Sequence, residues 1–265
     1  KFYSKPSMVA PEVSWRLIRD GPRSGPRNMA LDHALAVCVP PSEGVLRLYG
    51  WERPTVSFGK NEPVVGLYSG RVMRSASFDY VRRPTGGRRV LHDAELTYSV
   101  VLPLKGVGRL REMYKGINRA LANALASLNA PVTLSEDRKC QTLVSGPCFQ
   151  SPAAGEVIAN GRKLVGSAQA RIGGNLLQHG SILLDGDQSQ LDSLCGNTVD
   201  RRTSVTLGEL VGATNPDLVA NAVAVSLQGD LGGKWASLGY TDQEIETADR
   251  LESERYTKKS WTWRK

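Results

Sequence analysis

Cysteine and histidine are scarce in this 265-residue chain, which holds four of the first and three of the second. Cys38, Cys140, Cys148 and Cys195 are too few and too irregularly spaced for a disulfide scaffold or a paired CxxC metal site, so reduced thiols are expected. His33, His92 and His179 stand far apart, and none belongs to an HExxH or similar ligand pair; no metal site is expected. Long apolar runs are missing too. No stretch reaches the roughly 18 apolar residues of a helical membrane span, and the opening "KFYSKPSMVAPEVSW" lacks the apolar core of a secretory signal, so a cytoplasmic protein without membrane partners is the expectation. Repeats, low-complexity segments and linker-like runs are absent beyond the first dozen residues. Residues 1–13 are therefore expected to form an extension and 14–265 a single domain.

What is present is apolar material enough for a packed core, 40% of residues, and a surplus of positive charge, formally +8. Such a surplus favours an acidic partner, whether nucleic acid, an anionic membrane or an acidic carrier protein. Nucleic acid fits poorly, because the arginines gather in one Gly-rich loop rather than along a helix with interleaved aromatics.

Local patterning predicts strands in the middle and helices at the margins, a mixed α/β or α+β class. "NMALDHALAVCV" has apolar residues at helical spacing, with Asn28 placed to cap it, the prolines at 40 and 41 to stop it, and Cys38 on its core face. "GVLRLYGW", "TVSFGK" and "ELTYSVVLPL" read as strands rich in β-branched and aromatic residues. Apolar residues at 110, 113, 117, 121, 125 and 128 predict an amphipathic helix over 109–129 with a basic outer face. "EVIA" and "KLVGSA" flank Asn160-Gly161, the dipeptide suited to a type I′ hairpin turn, and "RIGGNLLQHGSILLD" adds a further turn and strand. Two more helices are predicted through "PDLVANAVAVSLQGDLG" and "TDQEIETADRLESERY".

Two stretches carry candidate chemistry. "VRRPTGGRRVLHDAELTYS" packs four arginines around a Gly-Gly pair; backbone N–H groups and guanidinium groups there would suit an anion or a carbonyl, although two glycines between strands also make an ordinary turn. It is neither GxGxxG nor a Walker loop, so neither nucleotide motif applies. In "GPCFQSPAAGEVIANGRKLVGSAQ", Cys148 sits in a Gly/Pro loop off any apolar face, and Lys163 follows the hairpin turn, where an isolated lysine is usually solvated. A thiol with an ordinary value near 8.5 is only about 3% thiolate at pH 7, so a nucleophilic role for Cys148 requires a cation such as Lys163 beside it.

Taken together, "NMALDHAL", "RLYGWERPTVSFGKNE", "RRPTGGRRVLHDAELTYSV", "CFQSPAAGEVIANGRKLVGSAQAR", "LLQHGSILLD" and "RYTKKSWTWR" resemble, in order, the octanoyltransferase branch of the lipoate/biotin protein ligase superfamily. The resemblance runs from about residue 14 to the end. It implies a mixed-sheet core flanked by helices, with Cys148 as acyl-thioester nucleophile and Lys163 as the group that lowers its pKa. It further implies an acyl pocket built by Arg83, Thr85, Gly86 and Gly87 of the Gly loop, His92 ordering that loop, and the small residues Gly166, Ser167 and Ala168. The donor implied is octanoyl-acyl carrier protein; the acceptor is a lysine on a lipoyl domain of a 2-oxoacid dehydrogenase or on the glycine cleavage H protein; no cofactor and no ATP are implied.

Arg89 departs from the family pattern, which has a small residue there. It could narrow the pocket, touch the carrier's phosphopantetheine or point to solvent. Three other activities suit the same scaffold: an ATP-dependent lipoate–protein ligase, a lipoyl-domain amidotransferase, and a non-catalytic homologue that only binds acyl groups or lipoyl domains. Retention of both Cys148 and Lys163 argues against the last.

Overall fold

The computed structural model describes residues 13–64, 78–105, 109–136, 154–191 and 203–264. Its centre is a six-stranded mixed sheet built from β1 (Ser14–Arg19), β2 (Glu43–Tyr49), β6 (Glu95–Pro103), β10 (Val165–Ile172), β11 (Asn175–Leu183) and β12 (Lys234–Ser237), in the order β10-β11-β6-β2-β1-β12. The β2–β6, β6–β11 and β11–β10 pairs are antiparallel, whereas β1 runs parallel to both β2 and β12. Every residue of β6 is buried, as its run of β-branched and aromatic residues requires of a strand covered on both faces.

Helices provide that cover. On one face, α2 (Leu110–Ala126) and α4 (Pro216–Leu231) share a core in which Ile117, Leu121, Leu125, Val223 and Leu227 are fully buried against Val100 and Leu102. Each such side chain contributes about 1.5–3 kcal/mol of apolar burial. On the other face, Leu35, Ala36 and Val39 of α1 (Gly25–Cys38) and its C-cap pack against Val45, Val101 and Leu177. Helix α5 (Asp242–Leu251) lies over α1 and is started by a capping box between Thr241 and Glu244. The short helices α3 (Leu207–Val211) and α6 (Lys259–Thr262) complete the set, with one π-helical turn at Glu252–Tyr256.

Two small sheets stand beside the large one: β4 (Asp79–Arg82), β3 (Thr55–Phe58) and β5 (Val90–His92), in that order, carry the Arg/Gly loop between β4 and β5. The other joins β7 (Thr133–Leu134), β8 (Val157–Ala159) and β9 (Arg162–Lys163). Asn160 and Gly161 between β8 and β9 have φ of 52° and 73°, the pair of positive values a type I′ turn needs.

The expected mixed sheet with flanking helices is what the chain forms, with two local differences. Helix α1 begins a turn earlier than its apolar pattern suggests: Ser24 caps it by accepting from the Arg27 N–H, and Pro26 sits in its first turn. Asn28 is instead fully buried inside the helix, where its amide donates to the Gly50 carbonyl at 2.9 Å. Cys38 is half-buried rather than in the core, with its sulfur 3.4 Å from the Thr247 hydroxyl of α5.

Candidate active site

A cavity opens between the small β4-β3-β5 sheet and strands β10 and β11. Its wall includes Arg83 and His92 on one side and Gly166, Ser167 and Ala168 on the other, so five of the residues proposed to bind substrate meet there. Strand β10 can lie this close to β11 because residue 180 is glycine: a Cβ there would come within 2.3 Å of the Gly166 carbonyl oxygen. His179, Ser181, Ser57 and Trp51 also face the cavity.

Beneath this wall run two relays of the same kind, each a carboxylate, an imidazole and a hydroxyl. In the first, Asp32 Oδ2 is 2.8 Å from His179 Nδ1, and His179 Nε2 is 2.6 Å from Thr85 Oγ1. Burial pushes the His179 pKa down, so the ring is neutral; it donates from Nδ1 to Asp32 and accepts from Thr85 at Nε2. Burial opposes ionisation of Asp32 as well, but hydrogen bonding from His179 and the charge of Arg47 outweigh it and hold the carboxyl below its ordinary value.

In the second relay, His92 Nδ1 is 2.9 Å from Glu95 Oε1 and its Nε2 is 2.7 Å from Ser57 Oγ. Arg83 Nη1 donates to the same Ser57 oxygen at 3.0 Å, which leaves the Ser57 proton for His92 Nε2. The ring is therefore fixed, and Trp51 stacks on it with centroids 4.0 Å apart. His92 thus sits in the pocket wall with Ser57, Glu95 and Trp51 around it.

The Gly loop is held from inside. Arg83 donates to the carbonyls of Gly86, Arg88 and Ser57 at 2.6 to 3.2 Å, so the backbone of "TGG" is fixed by an arginine of its own loop. Thr85 is fully buried on His179, while Gly87 is exposed with φ of 90°. Arg89 turns inward: it is buried, and its guanidinium reaches Glu62 at 3.3 Å, which excludes the solvent-facing alternative. It is not among the described residues that line the cavity.

Lys163 is buried rather than solvated, because the 203–205 segment brackets its backbone: its N–H donates to Thr203 and its carbonyl accepts from Val205, both at 3.0 Å. Its ammonium donates to Glu156 Oε1 at 2.8 Å. Tyr114 Oη is 3.3 Å from that same carboxylate oxygen and 3.3 Å from the Ser167 carbonyl, a chain that links Lys163 to the cavity wall. Ser167 Oγ donates to Asn118 and lies 2.8 Å from the Tyr98 hydroxyl, whose pKa burial pushes up to about 12. Cys148 lies outside the described residues, as do Cys140 and Cys195.

Motif reading missed Asp32, Glu95, Glu156 and Tyr114. A signal existed for the first: Asp32 falls on the apolar stripe of α1, and an acid in that register needs a buried partner. Among the described residues no group of three or more His, Cys, Asp and Glu is placed to hold a metal ion, and no helix is long and apolar enough to cross a membrane.

Residues 24–215 match the model of the lipoyl protein ligase A/B catalytic domain. The chain belongs to that family. Within it, Octanoyltransferase LipM of Kyrpidia tusciae is 38% identical over 276 residues, covering 95% of this chain and 99% of that one. The LipM of Symbiobacterium thermophilum is 37% identical, covering 96% and 100%. With such relatives matched end to end, this lipoyl protein ligase A/B family member is an acyltransferase of the octanoyltransferase kind. Among solved structures, a putative lipoate protein ligase from T. acidophilum with bound lipoic acid superposes with a TM-score of 0.80 at 22% identity, covering 95% of this chain and 100% of that one. That likeness extends the family's fold across the described sheet and helices.

Proposed function

We propose that this enzyme transfers octanoyl from acyl carrier protein to a lysine of a lipoyl domain, or of the glycine cleavage H protein, through an octanoyl thioester on Cys148, in the cytoplasm. Residues 14–265 act as one catalytic domain. In the first step the Cys148 thiolate attacks the donor carbonyl; a new C–S bond forms, and the carrier's thiolate leaves. In the second, the amine of the acceptor lysine attacks the octanoyl-Cys148 carbonyl; a C–N bond forms, the C–S bond breaks, and the amine proton passes to the departing sulfur. Thioester to amide is downhill, so no ATP enters.

The observation that carries this proposal is the buried Lys163 ammonium. A carboxylate 2.8 Å away favours its charged form. A fixed cation at the end of β9 is what a nearby thiol needs in order to ionise near neutral pH. One proposed role follows from the cavity's lining: the small residues Gly166, Ser167 and Ala168 leave room for an acyl chain along β10. The Gly86–Gly87 amides, proposed as donors for the tetrahedral oxyanion, belong to the adjoining loop and are not among the described residues that line the cavity.

The donor decides between this proposal and an ATP-dependent ligase. Purified enzyme is expected to octanoylate a lipoyl domain from octanoyl-acyl carrier protein without nucleotide. Transfer from free octanoate and ATP only, with none from the carrier thioester, would sink it.

A further inference from the structure

The octanoyl-transfer proposal leaves a cluster of cations unused on the outer side of the Gly loop. Lys60 is exposed, and its N–H donates to the Thr85 carbonyl at 2.7 Å, tying the 59–62 turn to the loop whose Arg83 lines the cavity. The Lys60 carbonyl accepts from the guanidinium of Arg264. Arg264 and Arg255 both lie over the Trp261 indole, 4.2 and 4.9 Å from its centroid, and that indole is anchored on the Arg82 carbonyl at 2.9 Å. Arg255 also approaches His33 Nδ1, one turn along α1 from Met29 of the cavity wall.

Among the described residues, no carboxylate lies within ion-pair distance of Lys60, Arg255 or Arg264. Two acids close to them in sequence are committed elsewhere: Glu62 to Arg89 and to the Gly59 N–H, and Glu252 to Arg27. Glu254 is exposed on the π-helical turn, but the same C-terminal segment adds Lys258 and Lys259. The accumulated charge is felt locally, since His33 is pushed down to about 4, by burial first and then by Arg255 and Lys60. Holding like charges together is unfavourable unless an anion joins them.

We propose that this patch of Lys60, Arg255 and Arg264 is the docking surface for the acidic protein that carries the acyl thioester, seating it beside the cavity mouth. This rests on the carrier-thioester proposal above. An acidic protein surface fits better than the other polyanions. Trp261 is occupied by two guanidinium groups and is not a free platform for a nucleobase. Among the described residues, none of the exposed large hydrophobics, Val37, Leu218, Val225 and Leu238, belongs to the patch, which favours a charged protein surface over a lipid one.

The test measures binding directly, so that it stands apart from turnover. Labelled octanoyl-acyl carrier protein is titrated with wild type and with the Lys60→Glu, Arg255→Glu, Arg264→Glu triple variant, and octanoyl transfer from octanoyl-pantetheine, which lacks the carrier, is assayed in parallel. The variant is expected to bind the carrier about tenfold or more weakly, while transfer from the small thioester changes by no more than about twofold; wild-type binding is expected to weaken as salt rises. Equal carrier binding by both proteins would overturn the proposal. So would a variant that binds carrier normally but loses affinity for the lipoyl domain, for a DNA oligonucleotide or for anionic vesicles. Wild type that binds carrier through the patch yet transfers octanoyl only with ATP would keep the docking surface and remove the transfer mechanism.

Discussion

Replacing Lys163 by methionine is expected to lower kcat/KM for octanoyl transfer by about 10²- to 10⁴-fold at pH 7, the range seen when a positioned proton-transfer or charge-stabilising group is lost. The sign of its pH dependence follows from the chemistry. A cation beside a thiol favours the thiolate, so removing it returns Cys148 towards its ordinary value of about 8.5. Activity of the variant is therefore expected to rise as pH is raised through about 8.5, where the wild-type profile is already flat. Methionine also strands the Glu156 carboxylate, which is buried, and an unpaired buried charge destabilises the fold. The Lys163→Met, Glu156→Gln double variant removes that effect. It is expected to regain stability without regaining rate. A Lys163→Met enzyme within a few-fold of wild type at pH 7 would remove lysine from the mechanism.

The second large effect is on stability. Arg47 is fully buried on β2, and its guanidinium joins Asp20 and Asp32, at 2.9 Å each, to the Asn28 side chain at 2.7 Å. It also lies over the Tyr49 ring, 3.7 Å from the centroid. Arg47→Met leaves two carboxylates without their shared cation, and breaking a buried pair in this way costs about 3–5 kcal/mol. Urea unfolding is expected to show that loss as a lower midpoint with an unchanged slope. Because Asp32 also fixes His179, the variant is expected to lose activity even where it is folded. A stability change below about 1 kcal/mol would mean that the buried network is replaceable by packing alone.

The sequence made parts of this molecule legible for identifiable reasons. Strand β6 announces itself by a continuous β-branched and aromatic run, and the β8–β9 hairpin by Asn160-Gly161, since few other residues tolerate the two positive φ values found there. Although Thr85, Gly86 and Gly87 are not among the residues that line the cavity, part of its wall was readable, as Arg83, His92 and residues 166–168. The polar layer beneath it was not, because its members come from distant segments: Asp32 from α1, Thr85 from a loop and His179 from β11 meet only when β11 pairs with β6. Lys163 shows the same limit. A lysine next to a turn is ordinarily solvated, and only the 203–205 segment and Glu156 make this one buried. Strand β12 was missed because "KWAS" is too short for a period, and it owes its place to parallel pairing with β1 and to Trp235 stacking on Trp15.

Intact-mass analysis tests the central claim most directly. Incubated with octanoyl-acyl carrier protein in the absence of nucleotide and acceptor, the enzyme is expected to gain about 126 Da, the mass of one octanoyl thioester. Peptide mapping should place it on Cys148, and addition of a lipoyl domain should discharge it. No adduct, or the same adduct formed by Cys148→Ser, would contradict the assignment of Cys148 as the nucleophile.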